Sequence, residues 1–127
     1  MIDRKNSMKL KFKNVDGDRR GRIIFNTYGN KKINLFEIKR ECYRGGHWHE
    51  YSVEHTIITG KIEYYEFDIK TKKESIRKIF SGTTFTTLPF TATMMVGLED
   101  SIYTEVYEGN YHSEVYLPYR KTVEENI

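Results

Sequence analysis

The sequence predicts an all-β domain, a sandwich or barrel of short antiparallel strands. Three observations carry that expectation. Short runs alternate apolar and polar residues, as half-buried strands do. Turn residues punctuate them at Gly60, Ser81-Gly82, Pro89, Gly97 and Gly109-Asn110. The runs are rich in β-branched and aromatic residues, among them most of the chain's 10 tyrosines and 7 phenylalanines, which suit a pleated surface.

Each element follows in order. Met8 to Lys13 alternates apolar and basic residues, as a half-exposed strand would. Arg22 to Phe25 is a second apolar run, closed by the turn cluster Thr27 to Asn30. Ile33 to Tyr43 reads as one long alternating strand, with Phe36, Ile38, Arg40 and Cys42 on one face and Glu37, Lys39, Glu41 and Tyr43 on the other. Further strands are expected over 53–59, 61–69, 74–80, 83–88, 92–96, 101–107 and 114–117. The runs from Ile62 to Phe67 and Ser75 to Phe80 flank a polar turn and should pair antiparallel, with the Lys70 to Lys73 charges in solvent. Only the last dozen residues, and the stretch from Gly97 to Ser101, suit helical or irregular backbone. No linker or repeat divides the chain, so residues 1–127 read as one domain.

Composition narrows the function classes. The 21 basic and 18 acidic residues leave a net charge of +3, mixed along the chain. That balance admits an anionic small molecule but is no nucleic-acid footprint. No apolar run reaches the length of a membrane span, and Met1 to Asn14 lacks the apolar core of a secretory leader. The single cysteine, Cys42, reads as a small buried apolar residue and fits a reducing compartment. The expectation is a cytoplasmic protein with no nucleic-acid or membrane partner. Sheet edges and the aromatic excess point to a homodimer.

The chemistry-bearing segment is Arg44-Gly45-Gly46-His47-Trp48-His49, followed by Glu54-His55 and Gly60; three of the four histidines fall within the nine residues 47–55. On a strand, His47 and His49 share a face and Trp48 takes the other. Two converging imidazoles suit metal binding or proton transfer. The run of Arg44 and two glycines suits backbone approaching an anion. His112 lies in a late polar loop and reads as solvated. His55, opposite in phase to Glu54, faces inward only if a bulge intervenes.

Gly45-Gly46-His47-Trp48-His49, Glu54 and Gly60 resemble the first cupin motif, a glycine followed by His-x-His, a Glu and a closing Gly. The resemblance implies a cupin-type double-stranded β-helix, or jelly roll, with its motif region at 44–60 and a degenerate second motif at 82–96. The spacing is one residue short of the usual pattern. Aligned from His49, Glu54 takes the ligand position; aligned from Gly60, Val53 does. The second motif's histidine is missing, and Thr93 or Met94 stands in its place.

A narrower likeness comes from Asp18-Arg-Arg-Gly21, Phe36-Glu-Ile-Lys-Arg40 and Arg44-Gly-Gly-His-Trp-His49, with the tyrosine-rich tail from Tyr107 to Tyr119. Together these resemble the nucleotide-sugar 3,4-ketoisomerases (WxcM-like), cupins acting on dTDP-4-keto-6-deoxyglucose. The resemblance implies a metal-independent isomerase or epimerase of a nucleotide-linked 4-keto-6-deoxy sugar, with His49 as base and His47 as partner acid. Tyr43 is a candidate relay hydroxyl, and Arg44 and Arg40 are candidates to hold diphosphate or an enolate oxygen. No cofactor is then needed. Two alternatives stand beside it: a small metal-binding cupin holding Zn, Fe, Mn or Ni on His47, His49 and Glu54, and a non-enzymatic sugar-binding cupin.

Overall fold

Strand alternation resolves into two antiparallel sheets in the computed structural model, which describes residues 8–127. The leader reading of Met1 to Asn14 therefore lies partly outside the described residues. The first sheet has six strands in the order β1 (Leu10–Asp18), β2 (Gly21–Tyr28), β3 (Lys31–Ile38), β10 (Ser101–Glu108), β5 (Val53–Thr59) and β8 (Thr84–Thr87). The second has five, in the order β11 (Glu114–Val115), β4 (Tyr43–Trp48), β9 (Thr91–Gly97), β6 (Lys61–Asp68) and β7 (Glu74–Phe80). One helix among the described residues, α1 (Leu117–Glu125), follows β11, with Pro118 in its first turn, where a missing N–H costs nothing. It is far too short to cross a membrane, as is every helix among the described residues.

The expected hairpin of β6 and β7 forms, with Lys61 opposite Phe80 and Phe67 opposite Glu74. The expected strand over 33–43 does not. Backbone pairing stops at Ile38, Glu41 turns into the left-handed region at φ 66°, and the chain crosses to the second sheet as β4. Backbone hydrogen bonds from Glu41 N to Gly97 O and from Gly97 N to Cys42 O fix that crossing. β1 also differs from expectation. All of its residues are exposed, because it is an edge strand held only by β2.

Two apolar clusters hold the layers. Between the sheets, Ile38, Cys42, Ile57, Ile62, Tyr64, Ile79, Phe85, Met95 and Tyr103 form the inner core. Cys42 is buried there as a free thiol, in the apolar role its sequence context suggested. On the outer face of the second sheet, Tyr119 and Val123 of α1 pack on Ala92, Met94 and Val96 of β9. β9 is thus covered on both faces, which explains its nearly continuous burial.

Candidate functional site

The site is built on an irregularity in β4. Arg44 pairs with Met95 and Gly45 with Met94, but His47 pairs with Thr93, so one extra residue is bulged at Gly46. Without the bulge, alternation would send Arg44 and His47 to opposite faces; with it, Arg44, His47 and His49 all border the cavity between the sheets. The two glycines have a steric reason. At Gly46, with φ 96°, a Cβ would lie 2.5 Å from the Arg120 Cα of α1, and at Gly45 it would lie 2.6 Å from the Thr93 carbonyl oxygen. The close approach that these glycines permit is that of protein backbone.

The cavity measures about 620 Å³. Its wall carries five cations (Lys13, Arg20, Lys32, Arg44 and Arg120) and one carboxyl group, Glu105. Arg44 is buried and held on the first sheet: Nε donates to Glu37 O at 3.1 Å and Nη2 donates to Gly21 O at 3.1 Å. Nη1 is the nitrogen left for a ligand. Arg20 is braced by Asp18 at 2.7 Å, and this guanidinium holds the Asp18 carboxyl down at about 2.

The histidines have three different environments. His49 Nδ1 lies 2.7 Å from the backbone oxygen of His112. A carbonyl only accepts, so Nδ1 carries the proton and Nε2 presents its lone pair. Burial lowers the pKa of His49, and burial with the neighbouring Arg120 charge lowers that of His47, so both imidazoles are neutral at pH 7. The His112 side chain stands in solvent near Glu114, as expected, but its carbonyl sets the His49 tautomer. The His49 ring is flanked by Tyr51 at 4.8 Å and Tyr111 at 5.6 Å between centroids.

His55 points inward from β5 without any bulge in its pairing with β8. Nδ1 donates to Thr104 O at 3.2 Å, while Nε2 accepts from the Thr87 hydroxyl at 3.1 Å. Tyr64 donates in turn to Thr87 at 2.6 Å. Burial of the His55 ring takes its pKa down to about 4, against the Thr104 carbonyl, which acts to raise it.

Three sequence candidates, Tyr43, Arg40 and Glu54, lie elsewhere, as does Trp48. Tyr43 faces outward and packs with the cluster beneath α1, because the bulge that turns His47 inward comes after it. Trp48 packs in that same cluster, against Phe90 at 5.6 Å, as its phase suggested. Arg40 sits in the exposed crossing turn, 4.0 Å from Glu41. Glu54 is exposed on the outer face of β5, since Val53, His55 and Ile57 take the inward positions.

Structures already solved share this architecture. The chain aligns with oxalate decarboxylase from Bacillus subtilis at TM-score 0.73 and 14% identity, covering 80% of this chain and 29% of that one. It aligns with the capsular polysaccharide assembling protein CapF from Staphylococcus aureus at TM-score 0.69 and 14% identity, covering 83% and 34%. The fold is a cupin jelly roll. Oxalate decarboxylase from Lactobacillus farciminis, solved as a formate complex, matches at TM-score 0.70 and 15% identity, covering 86% and 35%. The chain thus spans about a third of the length of these proteins, and such identities speak for the fold alone. No protein-family model matches the sequence. No curated protein matches it in sequence either.

One solved oxalate decarboxylase is described by its Mn(II) centres, so the cupin barrel here invites a test of its donors. His47, His49 and Glu54 do not converge, and among the described residues no group of three His, Cys, Asp or Glu side chains is placed to hold a metal ion. Thr93 stands opposite His47 where the second motif would supply a histidine. This donor set does not fit a resident divalent metal.

Three cavity residues escaped the sequence reading as site residues: Arg20, Glu105 and Arg120. Glu105 had a readable signal. It alternates with Tyr103 and Tyr107 on β10 and so shares their inward face. Arg120 had none, because its approach depends on how α1 docks over Gly46.

Proposed function

We propose that this protein is a metal-independent isomerase or epimerase of a nucleotide-linked 4-keto-6-deoxy sugar. The observation that carries the reading is the tautomer of His49: a neutral imidazole whose Nδ1 is occupied by His112 O offers Nε2 as a general base inside a cationic cavity. A proton next to a ketone is acidic enough for an imidazole to remove once the developing enolate oxygen is stabilised. Arg44, anchored by two backbone carbonyls, supplies that positive charge from a fixed position. His47, on the same strand face and neutral like His49, donates an N–H hydrogen bond to the substrate oxygen.

The remaining cations suit a diphosphate, and the volume falls in the roughly 300–1,000 Å³ range of small-molecule sites. Tyr107 and Tyr111, 6.5 Å apart, offer ring faces for a sugar or base beside His49. The likeness of the three sequence segments to the ketoisomerases supports the same substrate class. On this reading the protein acts in the cytoplasm as a homodimer, without a cofactor and without a nucleic-acid or membrane partner.

The test is to incubate the protein with dTDP-4-keto-6-deoxyglucose and follow the sugar by proton NMR. Signals of a new keto-sugar isomer are expected, and they should be absent with His49→Asn. Tight binding with an unchanged spectrum would leave a sugar-binding cupin instead. No binding at all would sink the reading.

A further inference from the structure

The cavity holds a titratable group that the His49 chemistry leaves unused. Glu105 projects from the centre of β10, on the first sheet, while His47 and His49 come from β4 on the second. The register that sets Tyr103 opposite Ile57 and Val106 opposite Glu54 sets Glu105 opposite His55, on the same inner face. The carboxyl has no hydrogen-bond or ion-pair partner among the described residues, and burial alone shifts it. Around it stand Tyr103 and Tyr107 of its own strand, His55 of β5, Asn34 of β3, and Lys32, Arg44 and Arg120 along the wall. His55 is committed to Thr104 and Thr87, so it offers no proton. Glu105 is half-buried and no buried side-chain oxygen among the described residues lacks a partner, so its carboxyl opens onto the cavity. A carboxyl without an ion-pair partner facing such a cavity is the kind of group that chemistry uses.

We infer that Glu105 is a second catalytic residue, delivering a proton to the substrate from the wall opposite His49, so that the reaction inverts configuration at the carbon next to the ketone. This rests on the keto-sugar reading above and narrows it to epimerisation. His49 Nε2 takes the α proton; the C–H electrons form the C=C bond, and the carbonyl π electrons move to oxygen, beside Arg44. The Glu105 carboxyl then gives its proton to the same carbon from the other face, and the enolate electrons restore C=O. The imidazolium and carboxylate left behind exchange a proton through solvent at the cavity mouth. No oxidant, reductant or co-reactant is involved.

Burial pushes the Glu105 carboxyl up to about 7, which keeps a protonated fraction available for this step at neutral pH.

The experiment runs dTDP-4-keto-6-deoxyglucose in deuterated water with the wild-type protein and with Glu105→Gln, Glu105→Asp and His49→Asn. Wild type should yield a sugar inverted next to the ketone and carrying one solvent deuterium. Glu105→Gln should lose inversion by at least 100-fold while still exchanging deuterium into sugar of unchanged configuration, because His49 can return a proton to its own face. Glu105→Asp should recover part of the inversion, and His49→Asn should lose both signals. Inversion at the wild-type rate in Glu105→Gln would overturn the proposal, as would a wild-type product that is only the 3,4-ketoisomer. Infrared difference spectra separate the two readings without substrate. A protonated carboxyl band that titrates near 7 and vanishes in Glu105→Gln is expected; titration near the ordinary value of 4.5 would overturn the role of Glu105 directly. No exchange at all in wild type, with that band present, would overturn the keto-sugar reading and inversion with it while leaving Glu105 a half-buried acid facing the cavity.

Discussion

His49 owes its basic nitrogen to a carbonyl 63 positions further along the chain. That dependence makes its contribution testable one residue at a time. His49→Asn should lower α-proton exchange by about 10²–10⁴-fold, the usual worth of a general base. Tyr43→Phe should leave exchange within about twofold, because that ring lies under α1 and outside the cavity. The pH profile follows from the two titrating groups. His49 is active when neutral, so its acid limb falls below the ordinary imidazole value of 6.5, and Glu105 is active when protonated, so the alkaline limb of inversion falls near 7. Stability carries the opposite signature of the same carboxyl. Its folded pKa lies above 4.5, so the folded state is disfavoured progressively as pH rises from about 4.5 to about 7. Glu105→Gln should therefore raise the melting temperature at pH 8 and leave it nearly unchanged at pH 4. The gain is at most about 3 kcal/mol, and smaller because the carboxyl keeps some access to solvent. The histidine pair was legible from the sequence because two-residue spacing survives on any strand. Glu105 was equally legible by phase but carried no motif, and Arg40 and Tyr43 were misplaced by a turn that alternation alone does not reveal.

Most strands could be read directly, and β5 and β7 fall on the expected residues. The exceptions share a cause. Where β3 ends and β4 begins, apolar alternation runs on through Cys42, because the crossing turn buries Cys42 in the inner core while Glu41 supplies the left-handed residue. No glycine or proline marks the break. The bulge at Gly46 was similarly hidden. Its glycines were visible, but their reason lies in α1, whose approach is a tertiary event. Gly46→Ala should show how firmly that packing is set. It combines a positive φ with a Cβ placed 2.5 Å from the Arg120 Cα, so it should cost about 2–4 kcal/mol, or roughly 10 °C in melting temperature. It should also loosen the Arg120 guanidinium from the Gly45 carbonyl it now meets at 3.0 Å.

Across the whole molecule, one end of the sandwich is filled by the inner core and the other is left open as a cationic cavity, an arrangement suited to a small anionic ligand. The outer edge is less complete. β1 leaves Leu10, Phe12 and Val15 exposed along an unpaired strand edge, and such an edge invites cover by a second copy. Light scattering should report a homodimer, and Leu10→Lys with Phe12→Lys should shift it to monomer while leaving the fold intact. Loss of exchange in that monomer would place Lys13 and Asn14, which border the cavity from β1, under the control of the dimer. Proton transfer by His49 without a metal is the step on which the proposed chemistry depends. The most direct measurement is solvent deuterium exchange into dTDP-4-keto-6-deoxyglucose by chelator-treated protein, with elemental analysis of the same sample. Exchange that persists in metal-free wild type and disappears in His49→Asn is the predicted result. Exchange that stops on chelation and returns with Zn, Fe, Mn or Ni, or that survives His49→Asn unchanged, would contradict it.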